Sequence, residues 1–77
     1  MTLEIIISLL SEIISVSEKD LIGKTKLMPE YNIESIDVAK LMIEIEKRFG
    51  VTIYDEDVHL FQTLDDVAEY VDALLAE

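Results

Sequence analysis

Seventy-seven residues suffice for one domain, 1–77, and leave little interior for a pocket of converging catalytic groups beside a core. With 51% apolar residues and no cysteine, one packed core must hold the chain together, without disulfides or thiolate ligands, and any thiol chemistry must come from an attached group. Seventeen Asp plus Glu against six Lys plus Arg leave a formal net charge of −11, which disfavours nucleic acid and anionic lipid surfaces and favours proteins with basic docking patches.

The first helix is expected over residues 2 to 15. Leu3, Ile6, Ile7, Leu10, Ile13 and Ile14 recur at steps of three and four and form one stripe. Thr2 is the expected N-cap, and Glu4 suits the positive end of the helix dipole. The longest apolar stretch, Ile5 to Leu10, is interrupted by Ser8 and flanked by Glu4 and Glu12, far short of the roughly 20 residues of a membrane span. No basic residue precedes it and no small-residue cleavage site follows, so the expected location is the cytoplasm.

Residues 16 to 34 make a long connection broken by Gly23, Pro29 and Asn32, and such a loop in a small domain usually serves function. Leu21, Ile22, Leu27 and Met28 should pack it on the core, Leu21 and Ile22 within a helical turn of their own. A second helix, 35 to 49, follows from Val38, Leu41, Met42, Ile45 and Phe49, with Lys47 and Arg48 in the last turn and Gly50 as the stop. Asp55 to Leu60 suits a short helix near 56 to 61. Val51 to Tyr54 alone would suit a strand, which would lack a pairing partner here. A last helix, 63 to 75, opens with Thr63 and Asp66 spaced as a capping box ahead of Val67, Val71, Leu74 and Leu75. The fold class is all-α: a four-helix bundle with a long ordered first loop and a short third helix.

Ser35, at the entrance to the second helix, faces free N–H groups and the positive dipole end, a setting that favours a phosphate. Judged from pattern alone, a serine at this position is in most cases simply an N-cap, and periodicity cannot choose between the two. The wider sequence adds Asn32-Ile33-Glu34-Ser35-Ile36-Asp37, followed by Val38, Leu41, Ile45 and Phe49. This resembles the attachment motif and second helix of acyl carrier proteins, typically Gly-x-Asp-Ser-Leu-Asp/Glu. The resemblance runs on through Phe49-Gly50, the acidic Asp55-Glu56-Asp57 and Thr63-Leu64-Asp65-Asp66-Val67, nearly the whole chain.

That resemblance implies that a phosphopantetheinyl transferase moves 4′-phosphopantetheine from coenzyme A to Ser35, and that the chain, catalysing nothing, presents acyl thioesters to acyl-loading and acyl-processing enzymes of fatty acid, lipid or polyketide-type biosynthesis. An aminoacyl carrier, D-alanyl or peptidyl, shares these features. It further implies a recognition surface of Glu34, Asp37, Lys40, Glu44 and Glu46, and an acyl-chain cleft for which Ile36, Leu41, Ile45, Val58, Phe61 and Leu64 are candidate walls, each equally readable as ordinary core. The chain departs from the family pattern at Glu34 for aspartate, Asn32 for glycine and Ile36 for leucine. Asn suits the left-handed backbone that glycine would supply.

Lys40 stands where the family commonly has glutamate, pointing to specialised partners, or to a pair with Asp37 or Glu44 on a solvated face. Asp55, Glu56, Asp57 and His59 do not have the spacing of a calcium loop, and no metal site is expected. Tyr31, Tyr54 and Tyr70 read as packing residues with solvated hydroxyls. A helical adaptor with Ser35 as a mere cap is the reading of another class. A hydrolase is the weakest, since His59 is a lone histidine far from Ser35 without an oxyanion loop. Self-repulsion favours a monomer.

Overall fold

A computed structural model describes all 77 residues. Three α-helices, α1 (Thr2–Ile14), α2 (Ser35–Phe49) and α3 (Leu64–Leu75), are joined by segments carrying short 3₁₀ helices at Glu18–Asp20, Pro29–Tyr31 and Asp55–Leu60. There are no strands, only an isolated antiparallel bridge between Lys26 and Thr63. With Asp55–Leu60 as the short third helix, this is the expected all-α, four-helix arrangement.

The apolar stripes meet as their spacing dictates. Ile6 and Leu10 of α1, Leu41 and Ile45 of α2, and Leu64, Val67 and Val71 of α3 are wholly buried in one core. Burying each such side chain stabilises the fold by about 1.5–3 kcal/mol before entropy is charged against it. Helix α1 packs against both α2 and α3, and the connections add Leu21, Ile33, Ile53 and Phe61 to the core.

The ends differ from expectation in instructive ways. Met1 is the N-cap of α1, and Thr2, in the first turn, donates its hydroxyl to the Asp72 carboxylate of α3. Ile14 ends α1, and Ser15 takes a left-handed conformation at φ 56°. At the other end of the chain Thr63 and Asp66 form the expected capping box. The Thr63 hydroxyl accepts from the Asp66 N–H at 3.3 Å, and the Asp66 carboxylate accepts from the Thr63 N–H at 3.1 Å and the Gln62 N–H at 2.9 Å. Those donated hydrogens hold the Asp66 carboxyl below its ordinary value of 3.8, the Gln62 bond contributing most.

The long first connection is ordered because its backbone is stapled to the start of α3. Leu27 N–H donates to Gln62 O at 2.9 Å, Leu64 N–H to Thr25 O at 3.2 Å, and Asp65 N–H to Gly23 O at 2.8 Å. A Cβ on Gly23 would lie 2.1 Å from the Asp65 carboxylate, so this crossing requires glycine or a moved Asp65. Leu21 is buried, but it caps the preceding 3₁₀ turn in extended conformation, and Ile22 is 59% exposed and does not join the core.

Val51–Tyr54 is neither strand nor helix. The Glu46 carboxylate accepts from the Ile53 N–H at 2.8 Å, giving that backbone a partner that no neighbouring strand supplies. The following helix begins at Asp55 and is 3₁₀ rather than α, with i→i+3 bonds from Asp57 to Tyr54 and from Phe61 to Val58. At six residues it is longer than most 3₁₀ helices.

Candidate functional site

The approach to Ser35 is set by three successive backbone choices. Pro29–Tyr31 makes a 3₁₀ turn, Asn32 enters the left-handed region at φ 62°, and Ile33, 1% exposed, plugs into the core. With Ile33 fixed inward, extended Glu34 and the first helical residue, Ser35, emerge at the surface. Glu34, not Ser35, is the N-cap, and the Asp37 carboxylate accepts from the Glu34 N–H at 2.9 Å. The capping alternative for Ser35 therefore falls away. The N–H groups of Ser35 and Ile36 find no acceptor within the chain, leaving two donors at the positive end of α2 for an oxygen-rich anion on the serine.

Beside Ser35 lies a cavity of about 680 Å³. Val38 and Met42 of α2, Leu27 and Ile33 of the first connection, Val58 of the 3₁₀ helix and Phe61 just after it are among its walls, with Ser35, Glu34, Glu46 and Asp55 also lining it. Of the residues read as cleft walls, Val58 and Phe61 line this space. Leu41, Ile45 and Leu64 do not: they are wholly buried in the core, where α1 covers the opposite side of α2. Ile36 does not either, being 62% exposed on the outside of α2. Helical spacing puts a residue on a face, but only packing decides which face meets the core and which the cavity.

The 3₁₀ wall is anchored by two carboxylates. Glu46 holds Ile53, and the Tyr70 hydroxyl of α3 donates to Asp57 at 2.7 Å. The Tyr70 ring meets Phe61 edge to face, with centroids 5.0 Å apart and planes at 75°. The Tyr70 hydroxyl is therefore bonded, not simply solvated as the sequence suggested. Its pKa is raised above 10.0, chiefly because its proton is donated to Asp57, with burial and the Asp57 charge adding to the effect. Thirteen residues separate the pair, so no local pattern marks it.

The charged residues of α2 are less free than their number implies. Asp37 serves the cap, Glu46 serves Ile53, and Glu44 Oε2 lies 3.6 Å from Lys47 Nζ. Glu34 and Lys40 are exposed, and Lys40 pairs with neither Asp37 nor Glu44. Asp55, Glu56, Asp57 and His59 form no cluster able to hold a metal ion. No helix is long and apolar enough to cross a membrane.

A family model described as "Phosphopantetheine attachment site" matches residues 4–71. An acyl carrier protein of Phytoplasma australiense is 34% identical over 76 residues, 99% of this chain and 100% of that protein. The chain belongs to the acyl carrier protein family. Further family members similar to it are acyl carrier proteins of Thermotoga maritima, 29% identical over 88% of this chain and 84% of the relative, and of Helicobacter hepaticus, 28% identical over 94% and 95%. The group that this family carries covalently is 4′-phosphopantetheine. The surroundings of Ser35 fit such a group: an exposed hydroxyl, unpartnered N–H groups for a phosphate, and apolar space alongside.

Proposed function

We propose that Ser35 is the attachment point of the 4′-phosphopantetheine arm and that the chain carries acyl groups between enzymes of fatty acid, lipid or polyketide-type biosynthesis in the cytoplasm, catalysing nothing itself. The observation that carries this reading is the release of Ser35 from capping. Glu34 and Asp37 build the helix entrance, so the serine hydroxyl is free for chemistry at the edge of the cavity. In the loading step, Ser35 Oγ attacks the phosphorus of coenzyme A that bears the pantetheine. The P–O bond to adenosine 3′,5′-bisphosphate breaks, and the hydroxyl proton passes to a base of the transferase. When bound, the arm supplies the thiol that this cysteine-free chain lacks and holds cargo as a thioester.

Around that step the chain's own residues have distinct tasks. The unpartnered N–H groups of Ser35 and Ile36 would donate to the phosphate of the arm, and Val38, Met42, Val58 and Phe61 would shelter an acyl chain from water. A flexible tether keeps the cargo at high effective concentration for each partner. Apolar walls and relatives named acyl carrier protein favour acyl cargo over aminoacyl cargo.

Intact mass after incubation with coenzyme A and a broad-specificity phosphopantetheinyl transferase tests the attachment. A gain of one phosphopantetheine unit, absent in Ser35→Ala, is expected. A folded wild type that gains nothing, or a Ser35→Ala variant that still gains it, refutes the assignment. Loading the product with fatty acids against amino acids then separates the two cargo classes.

A further inference from the structure

Sulfur chemistry within this chain is confined to three thioethers. With no cysteine and no tryptophan, Met1, Met28 and Met42 are its most oxidisable side chains, and their surroundings differ. Met1 is 88% exposed at the start of α1, Met28 is half-buried in the first connection, and Met42 is 7% exposed in the middle of α2. By exposure alone Met42 is the best protected of the three.

The cavity changes that order. Ser35, Val38, Ala39, Met42, Ile43 and Glu46 all line it and recur at the spacing of one helical face, with Met42 two turns, about 10 Å of helix rise, beyond Ser35. Neither Met1 nor Met28 lines it. Its volume of about 680 Å³ is many times the roughly 30 Å³ that a water molecule takes up in the liquid, and hydrogen peroxide is little larger than water. A thioether removed from the outer surface thus borders a space that a small polar oxidant can enter. An acyl chain sheltered there would occupy the same space.

We propose that the Met42 thioether is an oxidation site gated by the cargo: a hydroperoxide reaches it through the cavity of a chain without long cargo, and an acyl chain in the cavity shuts it out. The gate rests on the carrier reading and deepens it. In the step itself a sulfur lone pair attacks one peroxide oxygen. The S–O bond forms as the O–O bond breaks, and the proton of the transferred oxygen passes to the departing hydroxide, which leaves as water. Sulfur gives up an electron pair and the peroxide is reduced. The product is a sulfoxide, polar where the thioether was apolar. Val38, Val58 and Phe61, which line the same cavity, offer its oxygen no side-chain donor, so water must follow it in and the cavity shelters alkyl cargo less well. A methionine sulfoxide reductase, with a dithiol as reductant, returns the thioether.

The test loads wild type from acetyl- or decanoyl-coenzyme A with a broad-specificity phosphopantetheinyl transferase, so that neither product carries a free thiol. Each is treated with hydrogen peroxide, and sulfoxide formation at each methionine is followed by peptide mass mapping. Met42 is expected to oxidise readily in the acetyl form and about tenfold or more slowly in the decanoyl form, the factor set by a cavity open in at most about one molecule in ten. Met1 and Met28 should oxidise alike in both. In a second arm the unloaded chain is oxidised first and then loaded. The rise in Tm of the decanoyl over the acetyl form should be largely lost in wild type and kept in Met42→Leu, a volume-conserving replacement without sulfur in which Met1 and Met28 are oxidised as before.

Equal Met42 rates in the two loaded forms overturn the gate and leave the carrier reading intact. So does a Met42 rate in the acetyl form that climbs with low urea in step with global unfolding, since access would then come from opening of the fold and not through the cavity. A folded wild type that cannot be loaded overturns the carrier reading and the cargo gate together.

Discussion

Replacing Tyr70 with phenylalanine removes one oxygen and tests how the cavity wall is held. The hydroxyl donates to Asp57 at 2.7 Å in a half-buried setting. A hydrogen bond to a charged acceptor contributes about 1.5–3 kcal/mol when well shielded. Partial solvent access allows water to replace the lost donor, so a loss of about 1 kcal/mol is expected for Tyr70→Phe. The ring remains, and with it the edge-to-face contact with Phe61 at 5.0 Å, so the packing contribution should survive.

For a domain of this size about 1 kcal/mol corresponds to roughly 4–8 °C in Tm. Thermal melts followed by circular dichroism at pH 7 read it directly. Amide exchange reads its location: the Asp57 and Phe61 N–H groups, bonded to Tyr54 and Val58, should exchange faster, while those of α1 should follow only the global change. The pH dependence has a definite sign. Because the folded-state pKa of Tyr70 is raised above 10.0, its contribution is complete below 10.0 and is lost as pH rises through the higher folded value. The gap between wild type and Tyr70→Phe should close there. A melting shift under about 1 °C at pH 7, roughly 0.2 kcal/mol, would refute the claim that this bond anchors the 3₁₀ wall.

Two further outcomes follow from the helix ends. The folded-state pKa of Asp66 is depressed below 3.8, so its cap contributes fully above 3.8 and is lost as pH falls through the lower folded value. Asp66→Ala should therefore show a reduced urea midpoint at neutral pH and converge on wild type in acid; parallel curves across that range would count against the cap. Ser15, left-handed at φ 56° with no glycine to ease it, carries about 1–2 kcal/mol of backbone cost. Ser15→Gly relieves this against about 0.5–1 kcal/mol of added chain entropy, so a Tm rise of roughly 2–4 °C is expected, and a fall would contradict it.

The three long helices were legible because each carries an apolar stripe at helical spacing, and two of them a local stop or start as well: Gly50 after α2, Thr63 and Asp66 at α3. Asn32 was legible for a local reason too, since few residues other than glycine accept the left-handed turn that lifts Ser35 to the surface. The motif around Ser35 added what periodicity could not, a reason to read a serine as something other than a cap.

Other features required the chain to meet itself. Whether Leu41 or Met42 faces the cavity depends on where α1 covers α2, and whether Ile36 lines it or stays exposed depends on the same packing. The Glu46 to Ile53 and Tyr70 to Asp57 bonds, and the staple from Gly23 and Thr25 to the start of α3, join residues 7, 13 and about 40 positions apart. A sequence pattern records the face a residue shares with its near neighbours. Which distant polar group will satisfy a half-buried carboxylate or a loop N–H is fixed only when the core has brought both to one place. The stripes of this chain determined its helices, and their packing decided which residues line the cavity, which hold its wall and which remain exposed.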